Sequence, residues 1–316
     1  MVKSRQSFSF IVPGEEAGLR LDLFLVRHLS EFSRSALYRL IQNDSVQVNG
    51  DTPKAGYRIR EGDRVDVVVP EQEPSDLIPE QVYFAILYED ESVLVLAKPP
   101  GVVVHPAAGH SRGTLAHGLL FHCTSLPGPD KTRPGLVHRL DKDTSGIMLV
   151  AKNENALKKL TEDFRNRKVQ KIYHALLLRC PREEEGRIVA AIGRHPVNRK
   201  KMAVVRNKGR YAATKWRILE SFANGMGLAE IDLETGRTHQ IRVHMSSIGC
   251  PVAGDTLYGG KIPDSFALDA GRQLLHSSTI RFAHPDNGEL LTFTSPLWPD
   301  IQDVLECLRR QSAGAD

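Results

Sequence analysis

Residues 136–152, LVHRLDKDTSGIMLVAK, restrict the fold more than any other stretch of the chain. They place His138, Arg139 and Asp141 within four residues and then enter an apolar run, GIMLVA. A short apolar run fed by a turn such as DKDTSG reads as a strand buried on both faces. Asp141 is then held at the end of a core strand rather than on a free loop. A carboxylate near a core needs a partner. Arg139, two residues earlier, and Arg242, on a later helix, are candidates. An Asp so placed beside a cleft can act as a nucleophile or as a base. A turn Asp that caps backbone amides has the same spacing, so spacing alone leaves both readings open.

The residues around this strand predict a sheet with few helices inside it. YFAILYEDESVLVLAKPPGVVVHP reads as two strands joined by an acidic turn, a Pro-Pro-Gly turn and a third strand. NENALKKLTEDFRNRKV is a helix, capped by Asn153, with Leu157, Leu160 and Phe164 on one face. KIYHALLLR, AATKWRILESF and GLAEIDLETG follow as strands without helices between them, so the sheet is expected to be mixed and largely antiparallel. RTHQIRVHMSSIG is a helix with Thr238 as cap and Gly249 at its stop.

Ahead of this lies a smaller unit. Leu21, Phe24, Leu25 and Leu29 share one helical face, and Ser33 can cap a second helix with Leu37, Leu40 and Ile41 inward. Short strands SVQVNG and DRVDVVVP come next, with turns at Asn49-Gly50 and Gly62-Asp63. EQEPSDLIPEQ is acidic, contains proline and lacks periodicity, as a linker does. The fold class is therefore α+β, in two domains at 16–70 and 82–310 joined by a linker at 71–81.

Composition excludes several classes. With 41% hydrophobic and 25% charged residues, and no apolar run near 18, the chain is expected to be a globular protein without a membrane span. The N-terminus lacks a signal-peptide pattern, and the four cysteines lie far apart, which suits a reducing cytoplasm. His105, His110, His117, His122 and Cys123 cluster, but their spacing is not that of a metal site, and they read as polar loop side chains. No phosphate-cradling glycine motif and no serine elbow is present, so no nucleotide cofactor is expected. Residues 194–217 hold nine Lys or Arg and no acid, with Tyr211 and Trp216 interleaved. Such a block, including Lys200 and Lys201, fits a polyanion.

Two resemblances sharpen this reading. RLD at 20–22, SRS at 33–35, VQVNG at 46–50 and GD at 62–63 resemble the alpha-L (S4-like) RNA-binding domain, which implies an RNA-facing second helix with Arg34 and Arg39 as phosphate contacts. LAKPPGVVVHP at 96–106, HRLDKDTSGIMLVAK at 138–152, KIYHAL at 171–176 and LETGRTHQIRVHMSSIGCPVAGDTLYG at 233–259 resemble, in order, the motifs of the pseudouridine synthases that modify ribosomal and transfer RNA. RHPVNRKKMAV and HPAAGHSRGT are most similar to members acting on large-subunit ribosomal RNA. The resemblance implies that Asp141 is catalytic, that Tyr173 packs on the target base and that Arg242 pairs with Asp141. It also implies that Arg139 helps to hold RNA with the target base displaced. His138, Thr144, Arg237, His239 and Gln240, inside the same motifs, are further candidates for substrate contact.

The implied reaction breaks the N1–C1′ bond of a uridine, turns the uracil and rejoins it through C5. It is an isomerisation, so no cofactor and no metal is required. The expected partner is ribosomal RNA, either the large subunit or its assembly intermediate, and the chain is expected to act as a monomer. Other readings from the same scaffold are a synthase for other ribosomal or transfer-RNA uridines, a non-catalytic assembly factor and an RNA glycosylase. RNA mass separates isomerisation from base loss.

Overall fold

A computed structural model of the chain describes residues 6–29, 32, 34–69, 77–107, 109–128, 133–198, 201–207, 209–266, 268 and 270–313. The chain divides into two compact units, Met1–Ser75 and Asp76–Asp316.

In the smaller unit β1 (Gln6–Ile11) is followed by α1 (Leu21–His28), α2 (Arg34–Gln42), β2 (Val46–Val48) and β3 (Arg64–Val69). β1 and β2 flank β3, both antiparallel to it. The apolar helix faces expected from the spacing close over this sheet: Leu21, Phe24, Leu25, Leu37 and Ile41 pack with Val46, Val65 and Val67. The turn after β2 has positive φ at both Asn49 (53°) and Gly50 (91°). Two left-handed residues in succession suit this Asn-Gly pair. β1 was not anticipated, because its alternation QSFSFI begins before the residues from which the unit was expected to start. Ser33, expected as the cap of α2, lies outside the described residues, as do the side chains of Arg34 and Arg39.

The larger unit contains β4 (Ala85–Glu89), β5 (Val93–Lys98), α3 (Leu115–His122), β6 (Ser145–Ala151), α4 (Glu154–Arg165) and β7 (Gln170–Leu177). It continues with β8 (Glu185–Val189), β9 (Ile192–Arg194), β10 (Met202–Val204), β11 (Ala213–Ser221), β12 (Gly227–Leu233) and α5 (Gln240–Ser247). β13 (Leu275–Ala283), β14 (Leu290–Thr294) and α6 (Pro299–Ala313) complete it. Its main sheet runs β4-β5-β6-β13-β7-β12-β11-β8, with β14 on β13. Among the described pairings only β6 with β13 is parallel, so the sheet is mixed and largely antiparallel, as expected.

β6 is buried over its whole length. Met148 and Val150 join a core covered by α3 and α5, whereas Ile147, Leu149 and Ala151 join one covered by α4. A side chain such as Leu149 removed from water contributes about 1.5–3 kcal/mol. The position therefore fixes where the preceding turn emerges. Gly146 sits at this junction with φ 109°, and a Cβ there would lie 2.2 Å from the Ser277 carbonyl oxygen. Only glycine fits.

Asn153 caps α4, its Oδ1 accepting from the Ala156 amide at 2.9 Å. Three expectations need correction. Residues 102–106 are not a strand: the Val103 and Val104 carbonyls instead accept from the Leu115 and Ala116 amides at the start of α3. His117 is no loop residue; it is buried in α3 with Nδ1 2.6 Å from the Thr114 hydroxyl. The cap of α5 is His239, in the left-handed region at φ 56°, and not Thr238.

Candidate active site

Asp141 opens the turn that leads into β6, and the Thr144 amide donates back to its carbonyl at 3.2 Å. The turn is held from below by two cations. Lys98, at the end of β5 and completely buried, donates its Nζ to the carbonyls of Pro99 (2.6 Å), Val102 (3.0 Å) and Lys142 (2.9 Å). Burial pulls its pKa down to about 7, against the opposing charge of Asp143. Three acceptors match the three N–H bonds of an ammonium, so the geometry is built for the charged form. Arg272 donates to the Asp143 carbonyl (2.9 Å) and to the Ser145 hydroxyl (3.2 Å), while Asp300 of α6 accepts from its Nε and Nη2 at 2.6 and 2.7 Å.

Arg242 approaches from α5. Its Nη1 donates to Asp141 Oδ2 at 3.1 Å, and its Nε and Nη2 donate to Asp255 at 2.6 and 2.9 Å. The Asp255 side chain is 1% exposed and also accepts from the Leu257 and Tyr258 amides at 3.2 Å. Burial alone would lower the Arg242 pKa, but the hydrogen bonds and charges of Asp255 and Asp141 raise it above the usual arginine value. The guanidinium lies 5.0 Å from the centre of the Tyr258 ring. His239 Nε2 is 3.9 Å from Asp141 Oδ2, and its Nδ1 is 2.8 Å from the Tyr258 hydroxyl. Burial lowers the His239 pKa, with Asp141 opposing, which favours the neutral ring.

Tyr173, on β7 between β13 and β12, forms part of the pocket wall and is 6% exposed. Burial raises its pKa to about 12; a hydrogen bond with Ser277 opposes the shift and the charge of Asp141 adds to it. The pocket is a half-open cleft whose wall mixes apolar side chains (Leu140, Leu233, Ile241, Leu275) with polar ones. A second depression shares Arg139, Asp141 and Arg242 and extends toward Arg272, so the cleft is open on both sides of Asp141.

Asp141, Tyr173 and Arg242, 101 residues apart at the extremes, thus meet at one pocket, together with Arg139, Thr144, Arg237, His239 and Gln240. Arg139 is exposed. Thr144 is buried, its hydroxyl 3.5 Å from Gln273 Nε2. Gln240 touches the pocket, but its amide is already committed. The oxygen accepts from Thr235 (2.7 Å) and the Arg237 amide (3.0 Å), and the nitrogen donates to Ala213 O and Thr214 Oγ1, both 2.9 Å. His138 does not line the pocket. Its Nε2 accepts from the Leu149 amide at 2.9 Å and its ring stacks on Phe164, so it braces β6 against α4. Trp216 is buried in the core and does not interleave with the basic block, whereas Tyr211 is exposed. Lys201 stands 6.0 Å over the Tyr258 ring; Lys200 lies outside the described residues.

Lys98, Asp255, Tyr258, Arg272 and Asp300 were not singled out from sequence as parts of the site. Only Lys98 carried a signal, since a lysine closing a fully apolar strand must find acceptors. In the histidine-rich region, Glu89, His122 and Cys123 bring possible ligand atoms within 4.8 Å of one another. The Lys152 ammonium, 2.7 Å from Glu89, already balances that carboxylate.

A sheet carrying a turn-mounted aspartate, clamped by a buried arginine and faced by a strand tyrosine, places the larger unit among the RNA pseudouridine synthases. Residues 92–247 match the RNA pseudouridylate synthase family and residues 19–65 match the S4 domain. An RNA pseudouridine synthase of Bacillus subtilis is 43% identical over 94% of this chain and 96% of its own. The chain belongs to this family. The ribosomal large subunit pseudouridine synthase D of Neisseria meningitidis is 41% identical over 96% of this chain and 82% of its own. The solved human RNA pseudouridylate synthase domain containing 4 superposes with a TM-score of 0.55 at 27% identity, covering 71% of this chain and 93% of that one. No described helix is long and apolar enough to cross a membrane.

Proposed function

We propose that the chain converts specific uridines of large-subunit ribosomal RNA, or of its assembly intermediate, to pseudouridine. The observation that carries this is the Asp141 carboxylate, hydrogen-bonded to Arg242 at the mouth of a pocket walled by Tyr173. The similarity to synthase D supports the ribosomal substrate.

A stacked base cannot present its C1′ to a side chain, so the nucleotide is flipped, at a cost of a few kcal/mol. Tyr173 offers its ring to the displaced uracil. Asp141 either attacks C1′ as the N1–C1′ bond breaks, forming an ester bond that C5 later displaces, or removes the 2′ proton as N1 leaves and returns it when C5 adds to the glycal. The uracil turns between these events, C5 bonds to C1′, the C5 proton leaves and N1 is protonated. Mass and oxidation state are conserved, so the reaction draws on this chain's side chains alone. With its pKa near 12, Tyr173 is a reluctant base at neutral pH. The smaller unit and the basic hairpin β9–β10 supply further RNA contacts, with Arg34, Arg39, Arg139, Lys200 and Lys201 on phosphates. We take the chain to act as a monomer and place the reaction in the cytoplasm.

Incubation of the purified chain with a large-subunit transcript, followed by carbodiimide mapping and mass measurement, tests the reading. New carbodiimide stops at unchanged RNA mass are expected. Loss of uracil, or no stop in any large-subunit transcript or in RNA from cells lacking the protein, would overturn it.

A further inference from the structure

Beside the pocket, Arg167, Arg187 and Arg237 contact one exposed tyrosine, Tyr211, and Arg210 is its neighbour in the chain. Arg237 lines the pocket and donates its Nε to the Tyr211 carbonyl at 3.1 Å. The Arg167 guanidinium lies over the Tyr211 ring, 5.3 Å from its centre. Arg210 precedes Tyr211 and is fixed by paired backbone hydrogen bonds to Ile192, each 2.9 Å. The Tyr211 ring is 45% exposed.

The cluster is short of counter-charge. Glu234 is the neighbouring acid, and Arg187 already takes both its oxygens at 2.7 and 2.8 Å, with Lys215 at 3.8 Å. Among the described residues no carboxylate lies within 4.0 Å of the Arg167, Arg210 or Arg237 guanidinium. Burial, then the charges of Arg210 and Arg167, push the Arg237 pKa down, as expected for cations held together without an anion.

The backbone adds an independent sign. Arg167 follows α4 at φ 59°, with its amide bonded to the Phe164 carbonyl and the Lys168 amide bonded to the Asp163 carbonyl. That is a helix stop whose left-handed position favours glycine. An arginine there is less favourable than glycine would be.

We propose that Arg167, Arg210 and Arg237, arranged around Tyr211, seat a phosphodiester of a nucleotide flanking the target uridine. This rests on the reading of the pocket as a uridine site and adds which linkage the protein grips. Guanidinium forks match phosphate oxygens. The seat adjoins the pocket through Arg237, so it holds the strand while the base beside it is turned inward.

Binding of a short single-stranded target RNA is measured across a salt series for wild type, Arg167→Gly and Arg210→Gln. A matched set of RNAs carries one neutral methylphosphonate at each linkage near the target. Arg167→Gly relieves the backbone strain, so it is expected to raise Tm while weakening binding roughly tenfold. Each variant should flatten the salt dependence by about 0.7 in slope. At one linkage the methylphosphonate should weaken wild type by a similar factor and leave the variants no weaker. If the salt slopes are unchanged, or the protein and RNA changes multiply at every linkage, the seat does not exist. Competition by inorganic phosphate without any linkage effect would mark an anion site that does not read RNA, and would also overturn the proposal. Pseudouridine formation by wild type on the unmodified RNA is scored separately, so failure of the seat and failure of the functional reading are distinguishable.

Discussion

Asp255→Asn isolates the support of the carboxylate we propose as catalytic, Asp141, from that carboxylate itself. The Asp255 side chain is 1% exposed and gives both oxygens to Arg242. Asparagine keeps one acceptor and turns an N–H₂ group against an arginine N–H. Removing one partner of a buried ion pair costs about 3–5 kcal/mol, because the other charge is left without compensation. Arg242 retains Asp141 at 3.1 Å, which places the loss near the lower end, about 3 kcal/mol. For a unit of this size that lowers Tm by about 6–12 °C. The guanidinium is then free to shift from Asp141, and a displacement of about 1 Å can lower the rate roughly 100-fold. Calorimetry gives the first quantity. Single-turnover release of tritium from RNA labelled at uridine C5 gives the second, and RNA affinity should change little. Wild-type melting with a wild-type rate would refute the claim that Asp255 holds Arg242 in place.

Asp141→Asn is expected to abolish pseudouridine formation and leave RNA binding nearly intact; measurable turnover would remove Asp141 from its role. Tyr173→Phe keeps the stacking face, so binding should persist, and a full single-turnover rate would show that the hydroxyl is dispensable. Lys201→Ala should weaken RNA binding and flatten its salt dependence, with an unchanged slope returning that lysine to plain surface charge. Burial, with the charge of Lys171, pushes the His138 pKa down to about 3, and burial pushes that of His276 down to about 4. The unfolded chain therefore binds their protons first as pH falls below 6.5, and stability declines until the folded pKa values are reached. Between pH 6.5 and 5 the pair should remove roughly 3 kcal/mol, and a flat unfolding free energy over that window would contradict this.

Periodicity made the central sheet readable. GIMLVA read as a candidate strand covered on both faces, and Asn153 with Leu157 and Leu160 marked α4. The site was readable only where motifs named it, and the residues that brace it were not. Asp255 and Asp300 are acids in surface-like stretches, and nothing local says that they face Arg242 and Arg272. His138 misled for the converse reason. It belongs to the same four residues as Asp141, but its ring stacks on Phe164 of α4 and its Nε2 takes the Leu149 amide of β6. Trp216 misled similarly: it sits among nine basic residues, yet strand alternation in β11 turns it into the core. Sequence proximity to a charge is a poor guide where each residue of a strand reverses face.

The bracing residues share a logic that links the fold to the reaction. On the proposed reaction a flipped nucleotide arrives with its own conformational freedom, so the group meant to meet its sugar must not add more. Lys98 and Arg272 therefore act on the carbonyls of Lys142 and Asp143, the two residues immediately after Asp141, and not on its carboxylate. Fixing the backbone from below leaves the carboxylate open to the cleft, with a single arginine hydrogen bond from Arg242. A cation placed directly on both oxygens would have immobilised Asp141 equally well but blocked the sugar. Lys98 thus spends its charge on peptide carbonyls, Arg272 divides its own between peptide carbonyls and Asp300, and on the proposed reading the Asp141 carboxylate keeps one oxygen for the substrate.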